Sequence, residues 1–70
     1  MRPKYTAVIK QDGEWWIGWI EEIPGVNSQG KTKEELLDNL RSALAEALEM
    51  NRNDAVAAAN GTYEEASIEI

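Results

Sequence analysis

The sequence predicts a two-layer α+β domain with the element order β-β-β-α-β, a four-stranded mixed sheet in the order 3-2-1-4, and one main helix packed on one sheet face. Three observations lead to this fold class. Two strand-forming segments flank a turn dipeptide, a Pro-Gly turn follows them, and a long amphipathic helix begins at a capping sequence. We expect a single domain over residues 1–70, with no separate DNA-binding domain.

The first two strands are predicted to form a hairpin. Residues 5–10 are rich in strand-forming side chains, and the next strand holds all three tryptophans of the chain. Asp12-Gly13 lies between them and is typical of two-residue turns whose central residues need positive φ. A turn centred on this dipeptide places Ile9 opposite Trp16.

This register assigns each side chain to one of two sheet faces, because directly opposed residues share a face. One face has the small residues Ala7 and Gly18 at its centre, so a helix can lie close to it. A three-residue loop would shift one strand by one residue, and each of its side chains would then lie on the opposite face. The opposite face carries four apolar side chains that the helix does not cover, and we predict that they form a protein interface: Val8, Trp15, Ile17 and Trp19.

The third strand is predicted over residues 26–29, after a turn centred on Pro24-Gly25. Proline at the first central position and glycine at the second suit a type II turn. Two successive hairpins then place the third strand beside the second.

The helix is predicted to begin after Thr32, because Thr32 and Glu35 have the spacing of a capping box. Acidic residues in the first turn suit the positive end of the helix dipole. Apolar residues then recur at three- and four-residue steps and form one stripe, which contains Leu36, Leu37, Leu40, Leu44, Ala47 and Leu48. We expect this stripe to cover the face centred on Ala7 and Gly18.

The end of the helix is marked by two conflicting signals. Asn60-Gly61 is a suitable stop, but the polar residues 51–54 interrupt the apolar stripe before it. An unbroken helix from Lys33 to Ala59 would be about 40 Å long, which is more than an eight-residue strand covers. We therefore expect a break or kink within residues 51–54.

The last strand is predicted over residues 63–70, where Ala66, Ile68 and Ile70 alternate with polar residues. After the helix has returned the chain, this strand can pair in parallel with the free edge of the first strand through a right-handed crossover. That placement gives the sheet order 3-2-1-4.

Size and composition favour association with another chain. A domain of 70 residues is near the lower limit for an independently stable core. The absence of cysteine and histidine excludes disulfides and thiolate or imidazole metal sites. We expect a homodimer or higher homo-oligomer formed through the open sheet face. In the alternative interpretation, the termini or the region around Asn60-Gly61 cover that face within one chain.

The charge balance restricts the partners. The chain has 13 acidic and 7 basic residues, a net charge of −6. Proteins that bind phosphate backbones use clustered lysine and arginine, so this balance argues against nucleic acid as the main ligand. It favours a basic protein partner, although acidity serving only solubility is an open alternative. No apolar run approaches the ~18 residues of a membrane span, and we expect a cytoplasmic protein.

No arrangement of side chains predicts catalysis, a cofactor or a metal. The adjacent acids of Glu21-Glu22 and Glu64-Glu65 point to opposite strand faces, so neither pair forms a two-carboxylate site. The serines have no histidine to activate them, and the glycines are isolated turn residues rather than a phosphate loop. We expect a protein that is not an enzyme.

The ordered segments of this chain resemble the HicB-like antitoxin family. The resemblance covers about residues 4–50. It is carried by residues 5–9, the Trp-rich strand, Ile23-Pro24-Gly25-Val26, Ser28-Gln29-Gly30-Lys31-Thr32 and Glu34-Glu35-Leu36. It implies a partial ribonuclease-H-like fold, which coincides with the β-β-β-α-β order predicted above.

The resemblance implies an antitoxin of a type II toxin-antitoxin system that binds and masks a small, basic, RNA-cleaving toxin of the HicA type. Inhibition would be steric and electrostatic, with no chemistry by the antitoxin. Longer family members add a DNA-binding segment that this sequence lacks, so we expect no direct operator binding. The alternative is a homo-oligomeric stand-alone interaction or structural domain with no toxin partner.

Overall fold

The computed structural model describes residues 4–68, which form three strands and one helix. The elements are β1 (Ala7–Asp12), β2 (Trp15–Ile20), β3 (Asn27–Gly30) and α1 (Lys33–Ala59). The strands make one antiparallel sheet in the order β1-β2-β3, and α1 packs on one face of it. The α+β class and the relative order of the first three strands are confirmed.

The predicted turn at Asp12-Gly13 is wrong by one position. Asp12 pairs with Trp15, so the central turn residues are Gly13 and Glu14. Gly13 has φ 62°, as the first central position of a type II′ turn requires. Ile9 consequently lies opposite Gly18 and not opposite its predicted partner. This slip of two residues leaves every side chain on its predicted face, because side chains alternate with a period of two.

The second connection is the predicted type II turn. Gly25 has φ 89°, and the Val26 N–H donates to the Ile23 carbonyl at 3.4 Å across the turn. The third strand begins at Asn27, one residue later than predicted. Val26 is nevertheless buried, and its carbonyl accepts a hydrogen bond from the Ile20 N–H at 2.9 Å.

The helix begins as predicted and ends later than the break we expected. Thr32 is the N-cap, and its Oγ1 accepts a hydrogen bond from the Glu35 N–H at 3.1 Å. The predicted break within residues 51–54 is wrong, since α1 continues unbroken to Ala59. None of these four residues is glycine or proline, so nothing in the backbone interrupts the helical hydrogen bonds. Asn60 ends the helix with φ 49°.

The core is small and lies between α1 and the sheet. Its buried apolar side chains are Ile20, Val26, Leu36 and Leu40, with Ala43, Leu44 and Ala47 half-buried against them. Two glycines on the same sheet face let the helix approach closely. A Cβ atom on Gly18 would lie 3.2 Å from Leu40 Cδ1, and one on Gly30 would lie 2.6 Å from the backbone N of Leu36.

The predicted fourth strand is not found over residues 63–68, and the predicted order 3-2-1-4 is therefore not reproduced in the described part of the chain. Ile70, which completed the predicted alternation, lies outside the described residues. The unbroken helix explains the difference, because it carries the chain beyond the sheet. The Cα radius of gyration is 15.2 Å, against about 11 Å for a compact chain of this length.

Candidate protein-binding surfaces

The sheet face opposite α1 is uncovered by any other part of residues 4–68. Trp15 and Trp19 are 40% and 42% exposed. Ile17 lies between them on β2, Val8 lies beside them on β1, and both are half-buried. Val8 lies directly opposite Trp19 in the hairpin. The structure thus brings the four predicted interface residues together on one surface, the open face. Their role as an interface is a prediction that the geometry permits.

Polar residues border the open face on both sides. On β3, Gln29 and Asn27 lie beside Ile17 and Trp19, and on β1 Lys10 lies opposite Ile17. An apolar centre with a polar rim is the usual arrangement of a protein interface. The sequence signal for this rim is the alternation along β3, which places Asn27 and Gln29 on one face.

Two lysines lie over tryptophan rings near the start of β2. The Nζ atom of Lys31 is 5.9 Å from the centroid of the Trp15 ring, and that of Lys33 is 5.0 Å from the Trp16 ring. Both distances are within the range of cation–π attraction. Lys31 therefore adds a positive charge to the rim of the open face, a contact that sequence reasoning missed.

A second apolar surface lies at the outer edge of β1. It is an open groove of ≈ 270 Å³ between this edge and α1, lined by Tyr5, Ala7, Ile20, Leu37, Leu40, Arg41 and Leu44. Leu37 is 40% exposed there, although the sequence placed it in the covered stripe. The adjacent Leu36-Leu37 pair widens that stripe beyond what the three strands cover, which is the signal that could have revealed the groove.

The base of the hairpin is fixed by hydrogen bonds to Thr6. The Thr6 N–H donates to Glu22 Oε1 at 2.7 Å, and the Thr6 carbonyl accepts from the Glu21 N–H at 2.9 Å. The hydrogen bond from the Thr6 backbone lowers the pKa of Glu22, because it stabilises the charged carboxylate. These bonds hold the chain before β1 in place as the wall of the groove.

The side of α1 that faces away from the sheet is acidic. Its exposed carboxylates include Glu34, Asp38, Glu46 and Glu49. Two exposed arginines of α1 form weak pairs, Arg41 at 4.0 Å from Asp38 and Arg52 at 3.6 Å from Glu65. Such weak surface pairs leave the helix side negative overall.

Within residues 4–68, no group of three or more carboxylates is placed to hold a metal ion. The adjacent pairs Glu21-Glu22 and Glu64-Glu65 remain separate and exposed. No helix in this part of the chain is long and apolar enough to cross a membrane.

The fold and these surfaces define a small two-layer α+β domain with an uncovered apolar sheet face. Two curated relatives share much of this chain. A UPF0150 protein of Thermoplasma acidophilum is 36% identical over 47 residues, which are 66% of this chain and 68% of the relative. A UPF0150 protein of Thermotoga maritima is 35% identical over 51 residues, which are 70% of this chain and 68% of the relative.

The chain therefore belongs to the UPF0150 family. No family model matches the sequence, and no solved structure matches it. Kinship with these relatives is consistent with the expectation that the protein is not an enzyme.

Proposed function

We propose that this protein is a HicB-like antitoxin-type protein that binds and masks a small, basic, RNA-cleaving toxin of the HicA type in a type II toxin-antitoxin system. The exposed acidic side of α1 carries the proposal, since it offers a basic protein a surface of opposite charge. Membership of the UPF0150 family and the HicB-like segment order over residues 4–50 support it.

The two-layer fold separates the two surfaces that such a protein needs. The open face lies on the outer side of the sheet, and the acidic side of α1 lies on the other side of the molecule. Self-association through tryptophans and toxin binding through carboxylates therefore do not compete. Masking is steric and electrostatic, and the antitoxin contributes no chemistry.

Charge reversal on α1 tests the toxin-binding surface. Glu46→Lys combined with Glu49→Lys should weaken binding about tenfold or more, that is by ~1.4 kcal/mol, because like charges then face each other. The partner for this test is a small, basic, histidine-containing protein, which is to be sought in the reading frame next to this one. Titration calorimetry of the purified pair measures the dissociation constant.

The matched control is Glu14→Lys combined with Glu21→Lys, which makes the same charge change in exposed loops outside α1. This variant should bind nearly as well as the original chain. Equal weakening by both variants would assign the effect to net charge and overturn the surface assignment. If the neighbouring frame encodes no such protein, or the two proteins do not bind, the antitoxin proposal fails.

The exposure of two tryptophans favours a second proposal, that the chain associates with itself through the open face. Trp15→Ala combined with Trp19→Ala should halve the mass of the assembly in analytical ultracentrifugation. Central interface tryptophans typically each contribute about 2 kcal/mol or more, so the dissociation constant should rise more than about 100-fold.

Trp16→Ala is the control for this double variant. Trp16 packs against the core on the helix face, so its loss should lower stability and leave the association state unchanged. Without a toxin partner, self-association alone would make the protein a stand-alone interaction domain. The self-association proposal is contradicted if the unmutated protein sediments as a monomer. It is also contradicted if the double variant has the same assembly mass as the unmutated protein.

A further inference from the structure

The outer edge of β1 is open and lies beside an apolar groove. β1 is one edge of the sheet formed by residues 4–68. The Thr6 N–H donates to Glu22 Oε1 and its carbonyl accepts from the Glu21 N–H, both on the side of β2. Because bonding directions alternate along an antiparallel strand, the backbone groups of Ala7 point outwards. The groove of ≈ 270 Å³ between α1 and this edge leaves Leu37 40% exposed. An open strand edge above an apolar surface can accept one more strand.

The chain carries a segment whose pattern fits this edge. Residues 62–68, the tail, form no strand in the structure, and Ile68 is 87% exposed. Ala66 and Ile68 alternate with Glu65 and Ser67, so in an extended conformation both apolar groups point to one side. The tail and the groove therefore both expose apolar surface that contact between them would remove from water.

The tail already lies on the side of α1 that lines the groove. Arg52 Nη2 is 3.6 Å from Glu65 Oε1. Arg52 follows the groove residue Arg41 by 11 positions, which is within about 20° of three full helical turns. The two arginines therefore point to the same side of the helix. By Glu65 the chain has turned back from the end of α1 at Ala59 towards the groove, as far as the Arg52 side chain.

The groove is within reach of the tail of the same chain. Ala59 lies 15 positions after Leu44, the groove residue nearest the end of α1, or about 22 Å at 1.5 Å per residue. An extended chain at ~3.3 Å per residue covers about 23 Å in the seven steps from Ala59 to Ala66, and about 30 Å in the nine steps to Ile68. The turn that begins at Asn60 uses part of this length. Ile68 is therefore the side chain that enters the groove, and Ala66 lies at its entrance.

The direction of the tail suits a strand parallel to β1. α1 begins near the start of β2, where the Nζ atom of Lys33 is 5.0 Å from the Trp16 ring. Further along, residues of α1 line the groove together with Ile20 at the end of β2. α1 thus runs in the direction of β2 and opposite to β1, since these two strands are antiparallel. A tail that returns along α1 runs in the direction of β1.

We propose that the tail is a strap that closes over the groove of its own chain. In the closed state the tail pairs in parallel with the beginning of β1, Ile68 covers Leu37 and Leu44, and the sheet order becomes 3-2-1-4. The structure has the open state, in which the exposed pair of Arg52 and Glu65 contributes little to holding the tail away. Closing the strap blocks the β1 edge against strands of other polypeptides. The strap is independent of the toxin-binding proposal and uses a different surface from the open face.

Paramagnetic broadening tests closure, because the sequence has no cysteine that would take a label elsewhere. A nitroxide is attached to Ser67→Cys in the full-length, isotope-labelled chain, and amide signals are compared before and after the nitroxide is reduced. Ser67 lies on the polar side of the tail, so the label does not enter the groove. The Ala7 signal should be broadened several-fold more than that of Gly30 at the far edge of the sheet. Broadening that is no stronger at Ala7 than at Gly30 overturns the proposal.

A mixed sample identifies the source of the tail. It combines chains that carry the nitroxide but no isotope with chains that carry the isotope but no nitroxide. Both have the Trp15→Ala and Trp19→Ala changes, so that contact through the open face does not bring two chains together. Closure within one chain predicts no broadening of the Ala7 signal in this mixture. Broadening as strong as in the doubly labelled chain means that the tail comes from a second copy, and it overturns the proposal.

Hydrogen exchange of the Ala7 amide measures the fraction of molecules in which the strap is closed. Ile68→Glu should speed this exchange about tenfold, because a charged side chain is costly to place in an apolar groove. Ser67→Glu is the matched control, since it adds the same charge on the polar side of the tail and should leave the rate nearly unchanged. Equal effects of the two variants, or no effect of Ile68→Glu, overturn the strap and leave the toxin-binding and self-association proposals unaffected.

Discussion

Replacing Leu40 with alanine should lower the free energy of unfolding by about 2–5 kcal/mol. Leu40 is 2% exposed and lies over Gly18 at the centre of the helix-covered face. Alanine would leave a cavity that the neighbours cannot fill, because the backbone at Gly18 is fixed by pairing on both sides. A domain of this size has about 4–10 kcal/mol of stability in total, so much of the variant should be unfolded.

Urea denaturation followed by circular dichroism measures the loss. The control is Leu37→Ala, which makes the same truncation three positions away on α1 at a side chain that is 40% exposed. Its loss should be well under half that of Leu40→Ala, because Leu37 lines the open groove and keeps part of its contact with water. Equal losses would mean that the core is not centred on Leu40.

Replacing Gly30 with alanine should destabilise the domain by about 1–3 kcal/mol or more. The added Cβ would lie 2.6 Å from the backbone N of Leu36 and 3.1 Å from the backbone carbon of Glu35. Backbone atoms cannot rotate away as a side chain can, so the first turn of α1 must move off β3. That movement also strains the hydrogen bond from Asn39 Nδ2 to the Gln29 carbonyl, which is 2.9 Å long.

Thermal unfolding and hydrogen exchange of the first helical turn measure this effect. Ser28→Ala is the control, since Ser28 lies two residues earlier on the same face of β3. That change should be nearly neutral, because it removes an oxygen instead of adding an atom next to the helix. A neutral Gly30→Ala variant would contradict the close approach of α1 to β3.

The sheet face on which each hairpin side chain lies was predictable, because it depends only on the alternation of side chains along the strands. The pattern of Ala7, Gly18 and the tryptophans indicates which face takes a helix, and a slip of two residues preserves that pattern. The actual register was not predictable from Asp12-Gly13, since a glycine with positive φ fits either central position in different turn types. The cap at Thr32 and the type II turn at Pro24-Gly25 are local, and both were correct.

The helix end shows where pattern reasoning fails. The polar residues 51–54 predict a break, because the apolar stripe is interrupted there. A helix, however, is propagated by its backbone hydrogen bonds and needs no buried face for a further two turns. No strand follows the unbroken α1 within residues 4–68, so the β1 edge that was expected to be paired is the edge of the described sheet.

Local chemistry in the sequence determined the elements, their caps and turns, and the two faces of the hairpin, because each depends on neighbours within a few residues. The tertiary structure alone decided how closely α1 lies on Gly18 and Gly30, how far it projects, and that a groove remains beside β1. These features depend on distances between segments far apart in the chain. Residue patterns indicate which side chains share a face, but they do not determine the distance between the backbone segments that carry those side chains.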